Sequence, residues 1–165
     1  AALVAGATKA AASGKFDAAE TMLDYALSYA PDTEGAAELK AQLPGMQQAW
    51  QQEQQARALA LEQAKQVSTR GLQAIASGDL DTAQAAYDEL LADSPDLDVT
   101  SRLKLQLRDA YLLATRDEIN NQAYDLAEDF LLRGKTLAPD HPDWAELEVE
   151  VEIGKSSSRR RLGEF

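Results

Sequence analysis

Cysteine is absent from the sequence, which excludes disulfides, thiolate nucleophiles and zinc–cysteine sites and leaves the redox compartment open. Histidine occurs once, as His141, so serine–histidine–aspartate triads and multi-histidine metal sites are excluded as well. Basic side chains are scarce. Lys and Arg number 16 against 28 Asp and Glu, a formal charge of -12, and an acidic surface repels phosphate backbones and anionic lipid headgroups. Nucleic acid is therefore not an expected partner. No apolar run approaches the roughly 18 residues of a membrane span, so no membrane insertion is expected in this segment. Neither Gly-x-x-x-x-Gly-Lys nor Gly-x-Gly-x-x-Gly occurs, and nothing cradles a phosphate. What remains, 45% apolar and 27% charged residues in a chain of 165, suits one soluble domain with a real core.

The charge is unevenly placed. Residues 1–155 hold 27 acidic and 13 basic side chains, whereas residues 156–165 hold Arg159, Arg160 and Arg161 against Glu164 alone. Ser156-Ser157-Ser158 followed by three arginines has no apolar periodicity. The expectation is a folded domain over 1–155 and a basic linker or tail over 156–165. A first residue other than Met and an abrupt end read as a piece excised from a longer protein.

The body repeats itself, and the repeat decides the expected fold. Gly14-Lys-Phe16-Asp-Ala-Ala19 leads through Leu23, Ala26 and Leu27 to Pro31; Gly78-Asp-Leu80-Asp-Thr-Ala83 leads through Tyr87, Leu90 and Leu91 to Pro95. A looser copy runs from Gln122-Ala-Tyr124-Asp-Leu-Ala127 through Leu131 and Gly134 to Pro139. After each proline come Asp and then a pair of apolar residues spaced by four: Leu39 and Leu43, Leu103 and Leu107, Leu147 and Val151. That spacing places each pair on one face of a helix.

Each copy reads as a helical hairpin. Gly14 and Gly78 close one helix in the left-handed conformation. The small Ala19, Ala83 and Ala127 let the next helix approach closely, and the proline ends that helix. Asp32, Asp96 and Asp140 are placed to cap the helix that follows. The strict alternation Leu147-Glu-Val149-Glu-Val151-Glu-Ile153 is a strand signature. Its alignment with the other two copies outweighs it, and the segment is assigned to a terminal capping helix. Between the first two hairpins, residues 45–77 predict a long helix with apolar residues at both ends and a solvated Gln51-Gln52-Glu53-Gln54-Gln55 centre. Pro44-Gly45 predicts a break before it. Trp50 falls on the apolar stripe and reads as a packing residue.

Residues 14–31, 78–95 and, more loosely, 122–139 resemble the second half of the tetratricopeptide repeat, Gly-x-aromatic-x-x-Ala-x-x-x-aromatic-x-x-Ala-x-x-x-x-Pro. The departures are Leu23, Leu90, Gln122 and Gly134. The prolines lie 64 and 44 residues apart, against about 34 in the family. The resemblance implies an all-α fold: antiparallel helical hairpins stacked as a short tetratricopeptide-like solenoid with lengthened helices and a C-terminal capping helix. It also implies a binding face on the first helices of the hairpins, which puts Lys65, Ser68, Leu72, Asp109, Leu112 and Arg116 on that face. Arg160-Arg-Leu-Gly163-Glu164-Phe165 resembles the run-in to a formylglycine-generating-enzyme-like (sulfatase-modifying factor) domain. In bacterial multidomain proteins that domain often follows a tetratricopeptide-like region and sometimes a serine/threonine kinase. Glu164-Phe165 also reads as a cloning scar.

No residue pattern points to catalysis, a cofactor or a metal. Asp79, Asp81, Asp93, Asp96 and Asp98 fit no EF-hand frame and read as turn and cap residues; His141, between Asp140 and Pro142, reads as an exposed loop histidine. The expected function is a non-catalytic protein–protein interaction module of a larger bacterial signalling or envelope protein, periplasmic or cytoplasmic, with a neutral or basic protein or peptide as partner. The alternative is a structural spacer, or a self-association element that forms a homo-dimer through the Gln-rich helix.

Overall fold

The computed structural model describes residues 2–163, so Glu164-Phe165 lie outside the described residues. Among these are seven α-helices and no strand: α1 (Ala2–Ala12), α2 (Phe16–Tyr29), α3 (Ala36–Ser77), α4 (Leu80–Asp93), α5 (Asp98–Asn120), α6 (Tyr124–Leu137) and α7 (Asp143–Leu162). The expected all-α class holds, and residues 147–153 are helical within α7.

The chain divides into two compact units, Ala1–Ala60 and Leu61–Phe165. The division falls inside α3. In unit 1, α1 packs on α2. Their core, Ala7, Ala11, Phe16, Ala19 and Leu23, is joined by Ala36 and Leu43 of α3, with Met46 and Trp50 packed against it. Trp50 stands edge-on to Phe16 at 6.1 Å and covers Gly14, where a Cβ would lie 2.5 Å from the indole. The packing role read for Trp50 is thus observed.

Unit 2 holds the end of α3 and helices α4 to α7. Helix α5 packs on α4, α6 and α7, and α6 on α7. Ala83, Ala86, Leu103, Leu107, Tyr111, Leu131, Trp144 and Leu147 form its core. Ala83 and Ala127 are fully buried at the positions where the repeat demands a small residue, as Ala19 is in unit 1.

The three hairpin turns have one geometry. Gly14 and Gly78 take φ of 74° and 79°, and Gln122 takes 62°, the one left-handed non-glycine among the described residues. Each turn is closed by the same bond, from the amide after this residue to a carbonyl five residues back: Lys15 to Ala10, Asp79 to Ala74 and Ala123 to Glu118, all 2.9 Å. This is the six-to-one bond of a Schellman helix end. Helices α2, α4 and α6 that follow each span 14 residues. Because a side chain at left-handed φ costs about 1–2 kcal/mol, Gln122→Gly is expected to stabilise unit 2 by ~0.5–1 kcal/mol after the added chain entropy of glycine, and so to raise its urea midpoint. A lowered midpoint would mean that residue 122 is not left-handed.

Three local expectations are corrected. Pro44 lies inside α3 and does not break it. Proline removes one backbone bond and costs roughly 3 kcal/mol in a helix interior, but Pro44 is exposed, so water can satisfy the freed carbonyl, while Leu43 on one side and Met46 and Trp50 on the other pack on the unit 1 core. Residues 156–162 are not a linker: α7 continues through them to a left-handed Gly163. Its arginines sit at the helix C-terminus, where cations are favoured. Asp96 and Asp140 do not cap α5 and α7, whose N-caps are Leu97 and Pro142 without side-chain bonds, and α3 begins only at Ala36, well past Asp32. Backbone bonds fill those turns, with Thr33 donating to Ala30, Leu97 to Ser94 and His141 to Ala138.

Asp79 is the aspartate that does cap. Its carboxylate accepts from the Thr82 hydroxyl at 2.7 Å and the Thr82 amide at 3.0 Å. These two bonds hold its pKa below the ordinary carboxylate value. A depressed folded-state pKa stabilises the fold above the unfolded-state value, and the contribution is lost as pH falls through the folded-state one. Asp79→Asn should therefore lower the melting temperature near neutral pH, with the difference from the parent shrinking in acid; a difference independent of pH would sink this account of the cap.

Candidate interaction surface

The six residues assigned to the binding face all lie in unit 2, but the structure does not bring all six to its surface. Lys65 on α3 and Asp109 and Arg116 on α5 are exposed, and Leu72 is half-buried against the core. Ser68 and Leu112 are buried, at 5% and 6% exposure, and this corrects their expected place on an open face. Ser68 continues the inward stripe of Ala64, Gly71 and Ile75, where a small residue is needed because α3 lies close to its neighbours. A Cβ on Gly71 would meet Leu103 at 2.7 Å and Ala86 at 3.1 Å. Leu112 follows the fully buried Tyr111 and faces the same core.

Arg116 is engaged. Its guanidinium donates to Asp143 at 2.7 Å and ties α5 to the start of α7. Asp109 accepts from Arg108 at 2.6 Å and 2.8 Å. Beside them on α5 stand two leucines that the repeat pattern did not single out, Leu105 at 50% and Leu113 at 61% exposure. A signal was present. In Leu103-Lys-Leu105-Gln-Leu107 the first and third leucines share a helical face, so the middle one points away. The alternation in α7 resolves in the same way, with Leu147 and Val151 buried and Val149 and Ile153 exposed. Leu105 and Val149 occupy equivalent places, ten residues past Pro95 and Pro139.

A cleft of about 580 Å3 lies among α4, α5 and α6, lined by Tyr87, Asp88, Leu91, Lys104, Arg133 and Leu137 among others. Two of its lining residues, Gln84 and Arg133, belong to a hydrogen-bonded network. The Tyr111 hydroxyl donates to Gln84 Oε1 at 3.1 Å, and Arg133 pairs with Asp81 and, at 3.0 Å, with Asp129. Burial pushes the pKa values of Tyr87 and Tyr111 up, and the bonds of Arg133 to Asp81 and Tyr111 raise that of the guanidinium.

His141 is half-buried, not exposed as expected; its ring lies 5.8 Å from that of Trp144, and its Nδ1 accepts from the Asp143 amide at 3.4 Å. Among the described residues no group of three or more His, Cys, Asp or Glu is arranged to hold a metal ion, and no buried side-chain nitrogen or oxygen lacks a hydrogen-bond partner. No helix among them is long and apolar enough to cross a membrane. No family model matches this chain, and neither a curated protein nor a solved structure matches it.

Proposed function

We propose that unit 2 stacks its hairpins as a short tetratricopeptide-like solenoid and acts as a non-catalytic protein–protein interaction module of a larger bacterial protein, taking up a neutral or basic protein segment. The observation that carries this reading is the pairing of a fully satisfied core with exposed leucines set among charges on α5, the first helix of its hairpin. Apolar anchors ringed by polar groups are what an extended peptide or a partner helix needs, and the excess of acidic groups favours a partner that is not itself acidic.

Lys65 gives the cleaner test, because Arg116 also holds α7. Lys65→Glu is expected to weaken retention of the bound partner at low salt without shifting stability by more than ~0.5 kcal/mol, and Leu113→Asp to reduce retention at any salt. Retention that ignores both variants would end the reading.

One observation favours the spacer as a second reading. Every residue from Gln51 to Gln63 is exposed, although α3 continues through all of them. A stretch of helix exposed on every side is what a spacer element would show. Self-association through Met46 and Trp50 is less well supported, since both pack on the unit 1 core.

A further inference from the structure

Helix α7 has two faces of different character. Trp144, Leu147, Val151 and Gly154 face the core of unit 2. The opposite side carries Glu146, Val149, Glu150, Ile153, Ser156, Ser157 and Arg160, all exposed. Spacings of three, four and seven residues make this a continuous stripe along the helix. Its apolar centre is substantial, with Val149 at 56% and Ile153 at 61% exposure.

The charges along α7 are segregated. Asp143, Glu146, Glu148, Glu150 and Glu152 fill its first half, and Lys155, Arg159, Arg160 and Arg161 its second. Some are used within the fold: Glu148 accepts from Lys135, and Lys155 donates to Glu128 and pairs with Asp125. Glu146, Glu150 and Arg160 project on the outer stripe. Such a helix is complementary to itself when reversed. A two-fold axis passing close to Ile153 would set Ile153 against its own copy and Val149 against the small Ser157. It would also bring Glu146, seven residues before the axis, to Arg160, seven residues after it. A parallel arrangement would instead face acid with acid and base with base.

We propose that the outer face of α7 is a homodimer interface in which two copies of this chain pair α7 antiparallel about Ile153. The rest of the surface is strongly acidic and disfavours contact between copies. On this face each copy presents both signs in mirror order around an apolar centre, as an isologous two-fold contact requires. One helix face of this length belongs with weak interfaces, below about 1,200 Å2 in total, so the expected behaviour is a monomer–dimer equilibrium in the micromolar range. The inference stands apart from the binding of other proteins by α5.

Sedimentation equilibrium of the 165-residue chain is expected to show reversible dimers that Ile153→Asp abolishes. Glu146→Arg and Arg160→Glu should each weaken the dimer about tenfold, and an equimolar mixture of those two variants should restore it, because each supplies the sign the other lacks. Circular dichroism checks that the variants remain folded, as exposed substitutions should. A second assay is free of charge effects. The sequence has no cysteine, so Ile153→Cys should form a disulfide-linked dimer under mild oxidation. Ser157→Cys should not, since antiparallel pairing separates the two copies of residue 157 by about 12 Å along the helices, beyond the ~7 Å a disulfide tolerates between Cα atoms. A monomer at all concentrations up to roughly 1 mM, a dimer indifferent to Ile153→Asp, or equal cross-linking at both positions would overturn the proposal.

Discussion

Trp144→Ala is expected to destabilise unit 2 by about 3–5 kcal/mol, the range for deleting a large buried aromatic. The indole is 2% exposed, and its Nε1 donates to the Ala138 carbonyl at 2.8 Å, closing the turn before α7. It also lies on Gly134, where a Cβ would come within 2.3 Å of the ring. This contact explains why the third repeat departs from its pattern. Ala26 and Ala36 are both buried and small, Leu90 is matched by Thr100, and Gly134 is matched by Trp144, so one large residue is accommodated by removing its neighbour's side chain. Gly134→Ala should therefore cost ~1–3 kcal/mol in the parent through overpacking. In the Trp144→Ala background it should be neutral or stabilising, because alanine exceeds glycine in helix propensity by about 1 kcal/mol. Equal effects of Gly134→Ala in both backgrounds, read from urea midpoints, would show that the two residues are not coupled.

Ala83→Trp is the second large effect. Ala83 is fully buried where α4 meets the unit 2 core, and an indole there has no space to enter, so a loss of ~3 kcal/mol or more, or failure to fold, is expected. Gln54→Trp supplies the control, because Gln54 is exposed within the solvated part of α3 and should leave the melting temperature nearly unchanged. Equal melting temperatures for the two would place Ala83 outside the core.

The features legible in the sequence are those in which one residue type answers one backbone demand. Gly14 and Gly78 announce left-handed turns because few other residues adopt that conformation readily, and Ala19, Ala83 and Ala127 announce close helix contacts because only small side chains fit. Where the fold meets the same demand with an unexpected residue, the signal fades. Gln122 takes the left-handed turn at an energetic cost, and Pro44 remains helical because packing on both sides outweighs its missing bond. Ser156–Ser158 are helical although nothing in their periodicity says so, because the helix entering from Trp144, Leu147 and Val151 is already anchored and extension adds a bond per residue.

The surface was less legible for a different reason. Burial is set by helix phase, and an offset of one residue moves a side chain by about 100°. Alignment with another repeat thus predicts Ser68 and Leu112 outward, whereas both face the core, and it does not single out the exposed Leu105 and Leu113. The strand-like alternation of Leu147 to Ile153 held better information. On a helix, strict alternation forces alternate apolar residues outward, and Val149 and Ile153 are the result.

Three hairpin turns share one backbone geometry, and nuclear magnetic resonance of the backbone tests this most directly. Scalar couplings and carbon shifts should report a positive φ at Gly14, Gly78 and Gln122 alike, with uninterrupted helical shifts through residues 36–77 and 143–160. A negative φ at Gln122, or extended-strand shifts over residues 147–153, would contradict it.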